Sequence, residues 1–182
     1  IHQTSGTFEK LPNSFLEEIP QTLQQLPPII RPYEMLFLAR HLYQEKQAFV
    51  LIEKIYSQLS NSSPIIILPS DYLRWASIEN LHYGPEQAIK LLTTAIHQYP
   101  ESPGLHLARG LLEEKANQPW AALDDYSYEA YFQDIGYYDN SAKEHLTTLI
   151  HSDQKNNTFK QFRKAYDEFV QARLLSERKD KL

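Results

Sequence analysis

Histidines are the first side chains of this chain that could carry metal or acid–base chemistry. A zinc site on one helix needs two histidines four residues apart, and a zinc protease also needs a glutamate beside the first of them. The seven histidines do not follow that spacing, and no cluster of acids adjoins them at metal-ligand intervals. We therefore expect ordinary surface or core histidines, no metal site and no cofactor. The histidines are His2, His41, His82, His97, His106, His145 and His151.

Two pairs of adjacent acids could suggest general acid–base catalysis, namely Glu113-Glu114 and Asp124-Asp125. Successive residues of a helix point about 100° apart, so neither pair converges on one point in space. We expect both pairs to lie on solvated helix faces. The sequence also lacks a nucleophile elbow, a glycine-rich phosphate loop and a dinucleotide fingerprint. This pattern predicts a protein that is not an enzyme and has no catalytic residue.

Composition excludes several further classes of function. A formal net charge of −5 argues against a nucleic-acid partner, because such binding needs a basic surface that displaces counterions. No stretch approaches the roughly 18 apolar residues of a membrane span. The chain has no cysteine, which removes disulfides and thiolate sites. Its first residue is Ile1, so a signal peptide, a lipid anchor or a further domain could have been removed, and both a cytoplasmic and an exported location stay open.

The elements that position these side chains follow a 34-residue register, which is clearest in residues 69–102. Ala76, Ala88 and Ala95 occupy positions 8, 20 and 27 of this block, Leu92 occupies position 24 and Pro100 position 32. Small residues at positions 8 and 20 allow two antiparallel helices to cross closely, and position 27 faces the next hairpin. A proline near the end of the block cannot continue the second helix.

Local signals mark the ends of the two helices in this block. Ser70 or Asp71 is predicted to cap the first helix, since both side chains accept hydrogen bonds from free backbone N–H groups. Gly84 and Pro85 are predicted to form the turn before the second helix.

The blocks on either side keep parts of the same register. Ala39 occupies position 8 of the preceding block, and Gly110 occupies position 8 of the following one. The following block also has Ala122 at position 20 and Tyr126 at position 24, but Glu129 replaces the small residue at position 27. The register therefore fades in both directions from the central block.

These residues and their spacing resemble the tetratricopeptide (TPR) repeat. The resemblance implies an all-α fold, a right-handed superhelical stack of about three helical hairpins with a long C-terminal capping helix. It also implies one domain overall. Its parts are an N-terminal lead-in with a short helix at 1–31, hairpins at 32–65, 69–102 and 103–136 within 32–136, and a C-terminal helical cap at 137–182.

Two segments near the C-terminus allow more than one interpretation. The amphipathic segment 158–179 is expected to cap the repeat stack with a polar outer face, and docking onto a partner or self-association is the alternative. The acidic, tyrosine-rich segment 124–144 either packs in the core or presents a tyrosine contact surface.

The resemblance also implies a binding groove, because the first helices of successive TPR repeats line a concave surface. Its mixed apolar and basic character suits an extended or helical peptide with apolar anchors. The alternative is that the N-terminal segment or the terminal helix fills this surface. The groove residues carried over by register are Tyr33, Phe37, Arg40, Tyr43, Arg74, Ser77, Asn80 and Leu111.

Two hypotheses of function follow from these patterns. The first is a non-enzymatic protein–protein interaction module, an adaptor or scaffold that docks a protein or peptide partner in the groove. The second is a helical accessory domain of a larger enzyme or of a secretion or envelope assembly.

Overall fold

The computed structural model describes residues 13–44, 48–62, 66–134, 141–152, 159–164 and 167–168. All regular secondary structure in these ranges is helical, which confirms the all-α prediction. Within the same ranges, every helix is too short or too polar to cross a lipid bilayer. The helices are α1 (Asn13–Gln25), α2 (Arg31–Gln44), α3 (Phe49–Ser62), α4 (Pro69–Tyr83), α5 (Pro85–Gln98), α6 (Leu105–Lys115), α7 (Pro119–Asp134) and α8 (Ser141–Ser152).

The chain divides into two compact units, Ile1–Ser102 and Pro103–Leu182. The division falls between the second and the third 34-residue block. In the first unit α2 packs against α3 and α4 against α5, and α3 joins the two hairpins by packing against α4. In the second unit α6 packs against α7, and α7 packs against α8.

The turn between α4 and α5 follows the predicted residues. Gly84 has a φ of +89°, a conformation that a residue with a side chain rarely adopts, and Pro85 begins the next helix. The prediction that Ser70 or Asp71 caps α4 is wrong. The helix begins at Pro69 with Leu68 as the flanking residue, and Asp71 is the third residue of the helix rather than its cap.

The small residues of the register are buried in the first unit. Ala39, Ala88 and Ala95 have no exposed surface, and Ala76 is 3% exposed. Leu92, which holds position 24, is also fully buried. These side chains occupy the core of the α2–α3 and α4–α5 hairpins, where a larger group would separate the helices. The proline of the register, Pro100, is exposed and follows the end of α5 by two residues.

The second unit is built around Tyr126 of α7. Its ring lies against Gly110 of α6, and a Cβ placed on Gly110 would meet the ring at 2.6 Å. Ala122 and Tyr126 are both fully buried, in a core that extends to α8 and to Phe159. Phe159 packs edge-on against Trp120 of α7, with ring centroids 4.6 Å apart. Most of the predicted terminal helix lies outside the described residues.

Glu129, which breaks the register at position 27, has a structural role in this unit. Its carboxylate accepts hydrogen bonds from the backbone N–H groups of Gly104 at 2.8 Å and Leu107 at 3.4 Å. Helix α6 begins after Gly104, so a side chain from α7 satisfies N–H groups that the helix itself leaves free. The acid is therefore a helix cap supplied by the partner helix of the hairpin.

Candidate functional site

A cavity of about 570 Å³ opens on α2 and α4 of the first unit, and we call it the α2–α4 groove. Helix α2 contributes its last residues, α3 contributes its first, and α4 contributes residues between Arg74 and Leu81. The lining residues are Tyr43, Gln44, Phe49, Arg74, Ser77, Ile78, Asn80 and Leu81.

The groove has an apolar part at the C-terminal end of α4. Leu81 lines the groove and leaves 64% of its surface exposed. Tyr43 and Phe49 lie beside each other with ring centroids 6.3 Å apart, and Phe49 also contacts the ring of His82. Aromatic walls beside an exposed leucine are typical of a surface that takes an apolar anchor.

The basic part of the groove is organised by Asp71, which is fully buried. Arg40 donates from Nε to Oδ1 at 2.8 Å and from Nη2 to Oδ2 at 2.6 Å, which is a two-point pair. Arg74 donates from Nη1 to Oδ1 at 3.0 Å. The Tyr56 hydroxyl and the Leu68 backbone N–H add longer contacts of 3.3 Å. One carboxylate thus joins α2, α3 and α4.

The ionisation of Asp71 follows from these partners. Burial by itself would raise the pKa of Asp71, but the hydrogen bonds and charge of Arg40, with help from Leu68 and Arg74, hold the pKa below its usual range. Burial raises the pKa of Tyr56, so its hydroxyl stays a donor. Two guanidinium charges therefore face one carboxylate charge, and the cluster is positive by one.

The residues predicted for the groove separate into distinct places. Tyr43, Arg74, Ser77 and Asn80 line the α2–α4 groove together. Arg40 belongs to the Asp71 cluster, and its side chain keeps 35% of its surface exposed. The lining residues outside the eight predicted ones are Gln44, Ile78 and Leu81, which lie on the same first helices, and Phe49. Phe49 begins the second helix of its hairpin, whereas the resemblance places groove positions on first helices only.

The other predicted groove residues lie elsewhere. Tyr33 is 65% exposed on α2. Phe37 lines a second cavity of about 410 Å³ between α1 and α2, which we call the α1–α2 groove, and whose charged lining residues are Glu18 and Glu34. Leu111 belongs to the second unit and packs against the core around Tyr126.

The acid pairs examined for catalysis also lie differently from the prediction. Glu113 is 5% exposed and Asp125 is 3% exposed, so the expectation that they lie on solvated faces was wrong. Asp125 accepts two hydrogen bonds of 2.7 Å from Arg109 and lies 2.8 Å from Nδ1 of His106. Their neighbours Glu114 and Asp124 are exposed, as expected. One acid of each pair faces the α6–α7 interface because successive helical residues point in different directions.

Burial also shifts the pKa values of Glu113 and Asp125. Burial and the negative charge of Asp125 raise the pKa of Glu113 to about 7. Burial would also raise the pKa of Asp125, but hydrogen bonds from Arg109 and His106 hold it below its usual range. The free ring nitrogen of His106, Nε2, is buried, and the ring lies 4.1 Å from that of Tyr128. A histidine–aspartate pair with a buried free nitrogen cannot reach a substrate in this conformation.

No group of three or more His, Cys, Asp or Glu side chains in the described part of the chain has a metal-binding arrangement. No family model, curated protein or solved structure matches this chain.

Proposed function

We propose that this protein is a non-enzymatic, TPR-like interaction module that binds a peptide segment of a protein partner in the α2–α4 groove. One observation carries the proposal. The resemblance to the TPR repeat predicts that Tyr43, Arg74, Ser77 and Asn80 line a groove, and these four residues line a single cavity of about 570 Å³. Its volume lies within the range of sites that accept a side-chain anchor or a small ligand.

The repeat-like packing supports the same proposal. Positions 8, 20 and 27 of the central block are buried alanines, position 8 of the preceding block is the buried Ala39, and Gly110 and Ala122 are buried in the second unit. Hairpins that cross closely at these positions leave their first helices available for contacts with a partner.

The buried acid clusters support a role without catalysis. Asp71 accepts hydrogen bonds from Arg40 across the α2–α4 interface and from Arg74 on its own helix, and Asp125 is paired with Arg109 and His106 across the α6–α7 interface. The oxygens of both carboxylates accept hydrogen bonds from arginines of the neighbouring helix, so these acids serve to hold helices together.

The proposal is tested with a peptide selected from a random twelve-residue display library on the immobilised protein. Its affinity is then measured by fluorescence anisotropy for three forms of the chain, wild type, Leu81→Asp and Ile66→Asp. Leu81 is 64% exposed in the groove and Ile66 is 67% exposed outside it, so the two variants are matched in burial and in the charge they add.

We expect Leu81→Asp to weaken binding by at least about tenfold, since it places a charge where an apolar anchor must be desolvated. Ile66→Asp should bind as the wild type does. Equal binding by all three forms would contradict the proposal. A selection on the wild-type protein that enriches no peptide beyond those enriched on immobilised Leu81→Asp protein would also contradict it. The arginines are less suitable for this test, because each also neutralises Asp71.

A further inference from the structure

The charged and neutral polar side chains of the α2–α4 groove carry an inference about its ligand, which rests on the function proposed above. We infer that the groove takes a passing peptide segment with an apolar anchor and, within a few residues of it, an aspartate or glutamate side chain that pairs with Arg74. The first step concerns charge. Arg74 is the charged residue among the lining residues of this groove, and it is positive.

Asp71 does not cancel that charge, because it is shared. Arg40 contacts both of its carboxylate oxygens, whereas Arg74 contacts Oδ1 through Nη1. A guanidinium has five N–H donors, so Arg74 retains donor capacity on its other nitrogens. Its side chain keeps 28% of its surface exposed, which lets a ligand reach it. The cluster, positive by one, therefore attracts one further carboxylate.

The acid of α3, Glu53, is already engaged. Glu53 accepts a hydrogen bond of 3.0 Å from the Tyr83 hydroxyl and lies 3.3 Å from Nδ1 of His82. It is not among the residues that line the groove. Glu79 of α4 accepts a hydrogen bond of 2.8 Å from Trp75 Nε1 and does not line the groove either. Asp71 is therefore the carboxylate that contacts Arg74, and the ligand supplies a further negative charge.

The distance between Arg74 and Leu81 in the groove determines how far apart the acid and the apolar anchor lie in the peptide. Arg74 and Leu81 are seven residues apart on α4, which is about 10 Å along the helix axis. An extended peptide covers about 10 Å in three residues. The acid and the apolar anchor should therefore be two to four residues apart in an extended ligand.

The neutral polar lining favours a chain that passes through rather than one that ends in the groove. Gln44, Ser77 and Asn80 offer both donors and acceptors, which match the alternating N–H and C=O groups of a peptide backbone. The acid is therefore assigned to a side chain and not to a terminal carboxylate.

The α1–α2 groove provides an internal contrast. Its charged lining residues, Glu18 and Glu34, are both acidic, so it should repel the same ligand. Phe37 is 69% exposed there, close to the 64% of Leu81. Phe37→Asp is therefore a control that matches Leu81→Asp in exposure and in added charge, but it changes a cavity whose charged residues are acidic rather than basic.

The test uses two random libraries, one displayed internally without free C-termini and one displayed with free C-termini. We expect the internal library to enrich peptides with an acid two to four residues from a leucine, isoleucine or aromatic residue. The best peptide is then made in two forms, one with its acid and one with the matching amide. Both are titrated against wild type, Arg74→Gln, Leu81→Asp and Phe37→Asp by anisotropy, with a thermal melt of each variant to check its folding.

The inference predicts about tenfold weaker binding for the amide peptide and for Arg74→Gln, with no further loss when the two changes are combined. Phe37→Asp should bind normally. Neutral or basic enriched motifs lost in Leu81→Asp would overturn the acidic assignment while leaving the proposed function intact. Enrichment from the free C-terminus library alone would overturn the side-chain assignment. If the losses from the amide peptide and from Arg74→Gln add when the two are combined, Arg74 does not pair with the acid. If selection on the wild-type protein enriches no peptide beyond those enriched on Leu81→Asp protein, both proposals are overturned.

Discussion

Gly110 and Tyr126 provide the sharpest test of how the second unit is packed. A methyl group on Gly110 would lie 2.6 Å from Cε1 and 2.8 Å from Cδ1 of Tyr126, where ordinary contacts are about 1 Å longer. The ring is fully buried, so it cannot move out to solvent. Overpacking of this kind costs about 1–3 kcal/mol, and alanine recovers about 1 kcal/mol of helix propensity over glycine. Because two atoms of a fully buried ring lie under 3.0 Å from that methyl group, the upper part of this range applies, about 2–3 kcal/mol. After the gain in helix propensity, we expect Gly110→Ala to destabilise the unit by about 1–2 kcal/mol.

The 34-residue register supplies the compensating change. Positions 8 and 24, held by Gly110 and Tyr126 in this unit, are held by Ala76 and Leu92 in the central block. Tyr126→Leu alone removes a buried ring and the hydrogen bond to Glu114, and should cost about 2 kcal/mol. The double variant recreates the alanine–leucine pair, so its cost should be smaller than the sum of the single costs by about 1–2 kcal/mol.

The assay is urea unfolding combined with amide hydrogen exchange read by mass spectrometry, which reports each unit through its own peptides. Exchange in α6 and α7 should accelerate in Gly110→Ala and recover in part in the double variant. Exchange in α4 and α5 is the internal control and should not change. The packing argument fails if Gly110→Ala is as stable as the wild type, or if the two costs are simply additive.

Three further predictions concern the buried acids. Asp71→Asn should destabilise the first unit by about 2–3 kcal/mol in a urea titration, because it leaves Arg40 without its counter-charge, and an unchanged midpoint would contradict this. Glu113 has a pKa of about 7 in the fold against 4.5 for a solvated glutamate, so the folded state binds more protons between these values and stability should fall as pH rises from 5 to 8. Glu113→Gln should flatten that pH dependence, and a slope equal to that of the wild type would refute the assignment. Glu129→Ala should cost about 1 kcal/mol and loosen the first turn of α6 in hydrogen exchange, whereas unchanged protection of Gly104 and its neighbours would show that the cap is dispensable.

The helical class and much of the core could be predicted from the sequence because they depend on local periodicity. Alanine at positions 8, 20 and 27 of the central block indicates close helix crossings, and Ala76, Ala88 and Ala95 are buried. The turn at Gly84 could be predicted for the same reason, since a glycine followed by a proline constrains its own backbone. These signals lie within a few residues of the structure that they determine.

The acid clusters could not be predicted, because they depend on contacts between distant residues. Asp71 looked like a helix cap, but its main partner is Arg40, which lies 31 residues earlier in the chain. Asp125 and Glu113 face each other across two helices whose relative rotation the sequence does not specify. Glu129 departs from the register, yet it caps helix α6 through Gly104, which lies 25 residues earlier in the chain.

The groove was predicted in part for a similar reason. Arg74, Ser77 and Asn80 share one helix face, so the register alone brings them together. Phe37 obeys the same register but lies beside α1, a helix outside the repeat pattern, and so it lines a different cavity. Phe49 enters the groove from the first turn of α3, where no repeat position indicates it.

Peptide binding in the α2–α4 groove can be read residue by residue in a backbone amide NMR titration with the selected acidic peptide. We expect the largest shift changes at Tyr43, Ser77, Asn80 and Leu81, which line the groove. They should saturate at the affinity measured by anisotropy, with little change at Phe37. Shift changes that cluster instead around Phe37 and the α1–α2 groove, or that are confined to the second unit, would show that the peptide does not bind in the α2–α4 groove.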